Sequence, residues 1–347
     1  MRRLPIYLLI DISESMAGEN LRMMQDGLEQ LVRTLRTDPY ALETAHLSII
    51  GFAGKPRTLT PLVELVQFYP PRLPIGSGTS LGAAMNHVMD EIEHNVRRTT
   101  AETKGDWRPI VFLMTDGKPT DDIEPALARW TKEFAGRVTL VGIGVGRHAS
   151  LAALRRFTET VFSLEIGAST DFRRFIDWIS RSVSSQSRSV SANRDNAVNL
   201  AKIDVDIMKK IEDIAKAAIV DEDFVILAGK CQTTKLPYLV KYERFAPALN
   251  VPGLKSPENY HLAGVYPAEQ DYFDLSDERA LAQTIDTGRL IGAPGCPHCG
   301  NRFGLAMCSC GQIMCVSGPG AAVCPTCGRE LDMQASEGDF DVGRARG

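Results

Sequence analysis

The sequence predicts a doubly wound, mostly parallel α/β sheet followed by a small β-rich module. Three observations carry this. Short apolar runs alternate with segments of helical period through the first half of the chain, as repeated β–α units require. Seven of the twelve residues from Ser180 to Ser191 are serine, which marks a solvated boundary. Seven of the eight cysteines then fall between Cys296 and Cys327, a clustering that suits a metal-binding module better than a disulfide framework.

The elements follow in order. Ile6–Ile10 and Leu47–Phe52 are continuous apolar runs, as in strands buried on both faces. Between them Leu21, Met24, Leu28, Leu31 and Leu35 line one helical face. Thr58–Val66 reads as an edge strand, because Pro61 cannot serve a central one. A Gly/Ser loop, Gly76–Ser80, opens a helix faced by Leu81, Met85, Val88, Ile92 and Val96. Ile110–Met114 is the next strand, stopping at Thr115-Asp116-Gly117. Ile123, Leu127, Trp130 and Phe134 mark a further helix, with Gly136 suited to its C-terminal cap. Val138–Val145 and Val161–Ile166 are strands, and Phe172, Phe175, Ile176, Ile179 and Val183 form the closing helix.

These boundaries divide the 347 residues into an α/β domain over 1–185, a serine-rich linker over 186–203, a β-rich module over 204–292, a cysteine-rich ribbon over 293–333 and a mobile tail over 334–347. In the β-rich module Phe224–Leu227, Tyr238–Tyr242 and Leu262–Tyr266 look like short strands.

Charge excludes some functions. There are 23 basic and 22 acidic residues up to Val190, and 16 and 21 beyond it. Neither half offers the basic field that nucleic acid or an anionic membrane needs. The residues before Asp11 are too few for a signal-peptide core, and no apolar run could span a membrane. The expected location is the cytoplasm.

Two groups of residues carry chemistry. Asp11 and Asp116 sit where strands of an open sheet end, the usual place for a ligand. Ser13 and Ser15 follow Asp11, and Thr79 lies in the Gly/Ser loop. Two carboxylates and three hydroxyls form a hard oxygen set for Mg²⁺, Mn²⁺ or Ca²⁺. The Gly76/Gly78/Gly82 and Gly142/Gly144/Gly146 stretches miss the dinucleotide spacing, and no phosphate-binding loop is present.

The second group is thiolate. Cys296-Pro-His-Cys299-Gly and Cys324-Pro-Thr-Cys327-Gly are matched knuckles, which together would complete one tetrahedral zinc site. Cys308, Cys310 and Cys315 lie in a hairpin turning near Gly311. They read as small packed hydrophobes, or as a second zinc site with a fourth ligand such as His298 or Cys231. Cys231 alone reads as a buried thiol. A ribbon this small would draw much of its folding energy from the metal.

Asp11-x-Ser13-x-Ser15, Gly78-Thr79 and Thr115-Asp116-Gly117, in this order, resemble the metal-ion-dependent adhesion site (MIDAS) of von Willebrand factor A domains. The resemblance covers about Leu4–Ser185. It implies that Ser13, Ser15 and Thr79 contact the ion, that Asp11 and Asp116 hold it largely through waters, and that a partner's acidic side chain completes the coordination. PYLVKYERF, GVYPAEQDYF, CPHCGN and CPTCG resemble the C-terminal module of the TerY family. That resemblance implies a place in bacterial tellurium-resistance and stress-response systems, beside a Ser/Thr kinase-like protein and a 2C-type protein phosphatase. The expected role is a metal-dependent interaction scaffold without catalysis of its own. The alternative is a phosphohydrolase using the same cation, for which Glu14 and Asp121 are the nearest further carboxylates and read as solvated loop charges. The ribbon is a poor nucleic-acid binder, with only Arg302 and Arg329 basic from Ala293 to Met333.

Overall fold

The computed structural model describes residues 2–100, 102, 104–145, 151–164, 176–185, 208–210, 224–245, 259–276, 284–333 and 339–344. The chain forms two compact units. One comprises Met1–Ile12, Glu19–Leu73 and Thr79–Ile219, and the other Ser13–Gly18, Pro74–Gly78 and Val220–Gly347.

The first unit is built on a seven-stranded sheet. Its strands are β1 (Leu4–Asp11), β2 (Ala45–Phe52), β3 (Pro56–Glu64), β4 (Ile110–Thr115), β5 (Thr139–Val145), β6 (Val161–Leu164) and β7 (Met208–Lys210), in the order β3-β2-β1-β4-β5-β6-β7. The five inner strands pair in parallel, and the edge strands β3 and β7 pair antiparallel. The apolar runs of β1, β2 and β4 are buried along their whole length, which matches a sheet covered on both faces.

One face packs Tyr7, Leu9, Val111 and Leu113 with residues of three helices, α3 (Leu81–Asn95), α4 (Glu124–Arg129) and α5 (Leu151–Phe157). On the other, Phe112 and Phe162 meet Trp178 edge-on at centroid distances of 6.4 and 5.4 Å. Trp178 belongs to α6 (176–185), which α1 (Glu19–Leu35) joins through Gln30 and Asp177. α2 (Pro39–Thr44) and α5 are short helices that periodicity does not single out. α4 continues into a π-helical turn, Trp130–Phe134, whose Trp130 indole donates to the Phe157 carbonyl at 2.9 Å.

The serine-rich run divides. Its first residues are helical, with Ser180 and Ser182 buried, because Trp178, Ile179 and Val183 give this segment an apolar face. Ser180 satisfies its hydroxyl on the Ile176 carbonyl at 2.9 Å. Phe172, Phe175, Ile166 and the 186–203 linker lie outside the described residues.

The second unit centres on a six-stranded sheet. Its strands are β8 (Phe224–Lys230), β9 (Pro237–Arg244), β10 (Tyr260–Pro267), β12 (Leu290–Ile291), β13 (Phe303–Met307) and β14 (Ile313–Val316), in the order β12-β10-β9-β8-β14-β13. This corrects the expected division at 292/293. β8 pairs in parallel with β14, so the β-rich module and the ribbon share one sheet. Their apolar residues form one core around Val225, Leu227, Tyr238, Val240 and Ile313.

Two further ribbons flank it, β15 (Gly320–Val323) with β16 (Glu330–Met333), and β11 (Thr284–Asp286) with β17 (Asp341–Gly343). β17 corrects the expectation of a wholly mobile tail, because Val342 is buried in the core of this unit. Among the described residues no helix is long and apolar enough to cross a membrane. Removing two methyl groups from a site this closed costs about 2 kcal/mol. Val342→Ala should therefore lower the thermal transition of the second unit and leave that of the first unchanged, as scanning calorimetry of the full chain would show.

Candidate metal centres

β1 turns to β2 on one side, while β4 begins the run on the other. The carboxyl ends of β1 and β4 therefore flank the topological switch point, where open α/β sheets hold their ligands. Asp11 closes β1 and Asp116 follows β4. Both are buried. The Thr115 hydroxyl donates to Asp11 Oδ2 and accepts from the Gly117 N–H at 3.1 Å. This pair fixes the Asp11 carboxylate and the turn carrying Asp116.

Thr79 is fixed from the same side. Its N–H donates to Thr120 Oγ1 at 3.0 Å, and its carbonyl accepts from the Thr120 N–H at 2.9 Å. Its own hydroxyl oxygen is buried and has no hydrogen-bond partner among the described residues. A Cβ placed on Gly117 would lie 3.0 Å from Thr79 Oγ1 and 3.7 Å from Asp11 Oδ2. The orphan hydroxyl and the carboxylate thus face a space that glycine keeps open. A buried hydroxyl without a partner costs about 1–3 kcal/mol. A hard cation is the group that would satisfy it beside an anion.

Ser13 and Ser15 follow Asp11 in the chain and are buried, with their hydroxyl oxygens 2.9 Å apart. Ser13 also bridges to Gly76. They belong to the second unit with Glu14, which is fully buried rather than a solvated loop charge. There the Tyr272 hydroxyl donates to Glu14 and the Lys241 ammonium to the Ser15 carbonyl. Burial and the Glu14 charge hold the Tyr272 phenol well above its usual range. Asp121 is not a free loop charge either. Its two oxygens accept from the Gly82 and Ala83 N–H groups at 3.1 and 2.9 Å, capping α3.

The eight thiols form two groups, each with all four sulfurs within 4.8 Å of one another. The inner group is Cys231, Cys296, Cys299 and Cys315, and the outer is Cys308, Cys310, Cys324 and Cys327. This corrects the expected joining of the two knuckles at one ion. Cys296 and Cys299 stand with Cys231 and Cys315, while Cys324 and Cys327 stand with Cys308 and Cys310. The reason is the parallel register of β8 and β14, which sets Met314 against Lys230. One step on, it brings Cys315 beside Cys231, their sulfurs 3.9 Å apart.

Neighbouring sulfurs are separated by 3.6 Å for Cys299–Cys315 and 3.8 Å for Cys308–Cys327 and Cys310–Cys324. Four sulfurs bound about 2.3 Å from one zinc at tetrahedral angles stand about 3.8 Å apart. A disulfide would need about 2.05 Å. Both sets therefore fit a soft tetrahedral ion.

Four turns of one kind present seven of these thiols, and Cys315 stands on β14. In each the leading cysteine N–H donates to a carbonyl four or five residues on, and its own carbonyl accepts an N–H from three or four residues on. The pairs are Cys231 with Leu236 and Lys235, Cys296 with Asn301 and Gly300, Cys308 with Gln312 and Gly311, and Cys324 with Arg329 and Gly328. The residue needing positive φ is glycine in three turns and Lys235, at φ 62°, in the fourth. Sequence reading finds the two Cys-x-x-Cys turns. It leaves Cys231 as a lone thiol, because Thr234 stands where the second cysteine would be.

Amide donors steady the inner sulfurs. The Thr234 N–H donates to Cys231 at 3.4 Å, and the Gln232 N–H and Asn301 amide donate to Cys315 at 3.3 and 3.5 Å. Burial pushes the Cys231 thiol up, but the Thr234 and Thr233 donors and the neighbouring Cys299 outweigh it and bring it down to about 6. Burial raises Cys296 to about 12. His298 is no ligand in this arrangement, since its Nε2 lies 2.8 Å from the Pro237 carbonyl.

The fold and these centres define a von Willebrand factor A protein with a thiolate metal module. The comparisons agree. The von Willebrand factor type A domain family matches residues 6–174, and the TerY-C metal binding domain family matches residues 221–347. The chain accordingly has the TerY architecture.

Among solved structures, proximal thread matrix protein 1 from the mussel byssus is 22% identical with a TM-score of 0.39, over 53% of this chain and 48% of that one. The chain therefore spans about half the length of that protein. Another structure of the mussel protein, described as having a zinc occupied MIDAS motif, is also 22% identical with a TM-score of 0.38, over 53% and 48%. A von Willebrand factor type A protein from Catenulispora acidiphila is 16% identical with a TM-score of 0.41, over 77% and 56%. No curated protein matches the chain.

Gly117→Ala should lower Mg²⁺ affinity at least tenfold by isothermal titration while leaving the thermal transitions in place, because the added methyl intrudes on Thr79 Oγ1. Lys235→Gly should stabilise the second unit by about 0.5–1 kcal/mol, the relief of left-handed backbone outweighing the added chain entropy. Chemical denaturation would measure it.

Proposed function

We propose that the chain is a metal-dependent protein-interaction scaffold. Asp11, Ser13, Ser15, Thr79 and Asp116 would hold a divalent cation, Mg²⁺ or alternatively Mn²⁺ or Ca²⁺, as an all-oxygen set suits. When bound, the cation supplies a positive pole to which an acidic side chain of a partner can add. The protein's part is to hold the carboxylates and hydroxyls still and to keep the space above Gly117 clear. The observation that carries this reading is the buried Thr79 hydroxyl, without a hydrogen-bond partner beside the Asp11 carboxylate.

The thiolate groups would hold one zinc ion each and make the C-terminal module a rigid second docking surface. A purified chain should then contain two zinc equivalents. The TerY architecture supports a cytoplasmic role in a tellurium-resistance or stress-response system, with a Ser/Thr kinase-like protein and a 2C-type phosphatase as the partners of choice. A phosphohydrolase has less support, because Asp121 is engaged as a helix cap and Glu14 is buried against Tyr272.

Capture of such a partner from a native lysate should fail with EDTA and return with Mg²⁺. Asp11→Ala should weaken capture tenfold or more, with circular dichroism checking that the variant keeps its fold. Equal capture in all of these conditions would remove the cation from the mechanism.

A further inference from the structure

The two thiolate groups differ in how solvent reaches them. In the inner group Cys231, Cys296 and Cys315 are buried and Cys299 is partly so, and the first three belong to the core of the six-stranded sheet. In the outer group Cys308 and Cys324 are buried, but Cys310 and Cys327 are exposed. Each exposed sulfur lies 3.8 Å from a buried one, Cys327 from Cys308 and Cys310 from Cys324. The outer group also has the lighter scaffold. Its knuckle 324–327 joins the two strands of the β15–β16 ribbon, which pairs with no third strand among the described residues. A two-stranded ribbon alone is marginal in water. Among the described residues it is held through a small core of Cys308, Met314, Val316, Ala322 and Cys324, with Ala306, Leu331 and Met333 packed against it.

We propose that the outer thiolate group is a peroxide-reactive site that gives up its metal while the inner group keeps its own. This rests on the reading that each group holds one zinc ion. The thiolate of Cys327 or Cys310 attacks one oxygen of hydrogen peroxide, the O–O bond breaks, hydroxide leaves and a sulfenic acid forms. The neighbouring thiolate, Cys308 or Cys324, attacks that sulfur. An S–S bond forms and a second hydroxide leaves. The two sulfurs lose two electrons and the peroxide gains both. With two of its four ligands consumed, the ion departs as a divalent cation, and the β15–β16 ribbon loses its staple. A thiol reductant reverses the step and restores the site.

The zinc-loaded full chain tests this. Hydrogen peroxide should release one zinc equivalent, read by a chromophoric chelator, at least tenfold faster than the second. The products are distinguishable after trypsin. Cys308, Cys310, Cys324 and Cys327 all lie in the segment 303–329, which contains no internal lysine or arginine, while Cys231 lies in 231–235 and Cys296 and Cys299 in 290–302. The expected first product is a disulfide internal to 303–329 that leaves Cys315 free, with the other two peptides still alkylated after denaturation.

Release of both equivalents at one rate, early cross-links to 231–235 or 290–302, or a disulfide within 290–302 would overturn the proposal. So would resistance to peroxide under conditions that oxidise free glutathione. Cys310→Ser supplies a second measure, since it should remove the fast equivalent and leave the slow one. A purified chain holding a single equivalent would sink the two-ion reading by itself. The peptide map then still decides whether the outer four thiols react first.

Discussion

A buried anion needs a compensating charge, and this constraint organises both units. Asp11 is carried into the interior because β1 is the strand at which the sheet reverses direction, and its neighbours leave it no water. One hydroxyl, that of Thr115, is spent on the carboxylate. Thr79, held by Thr120, adds a further oxygen from the same unit. Four gathered thiols pose the same problem in a softer form, since their thiolates would repel one another with nothing between them. Amide N–H groups offset part of that cost, and the remainder calls for a metal ion.

The two solutions are kept chemically apart. The oxygen set has no sulfur or imidazole that would favour a soft ion, and the thiolate sets have no carboxylate. Selectivity between abundant hard cations and scarce soft ones is thereby written into donor type. Each centre also sits on a different kind of support. Asp11 and Asp116 sit at strand ends of an open α/β sheet, whereas seven of the eight sulfurs are presented by tight turns and Cys315 by β14.

Much of this was legible in the sequence. The inner strands could be read because a parallel sheet covered on both faces demands unbroken apolar runs, and Ile6–Ile10 and Ile110–Met114 are such runs. The placement of Asp11, Ser13 and Ser15 at the end of β1 could be read because Asp11-x-Ser13-x-Ser15 is contiguous and follows an apolar run. The grouping of the thiols could not. It depends on the register between β8 and β14, strands about ninety residues apart, and local pattern carries no information about such a pairing. Cys231 was hidden because its turn has Thr234 in place of a second thiol and Lys235 in place of glycine. β17 was hidden because one buried residue, Val342, between polar neighbours leaves no periodicity to detect.

The order of ligands along the chain has a consequence for biosynthesis. The inner set opens with Cys231 and closes with Cys315, and the first two ligands of the outer set, Cys308 and Cys310, fall inside that interval. As the polypeptide emerges, Cys296, Cys299, Cys308 and Cys310 are available together before either native set is complete. An ion captured at that stage would meet these four thiols before β14 can pair with β8 and bring Cys315 to Cys231.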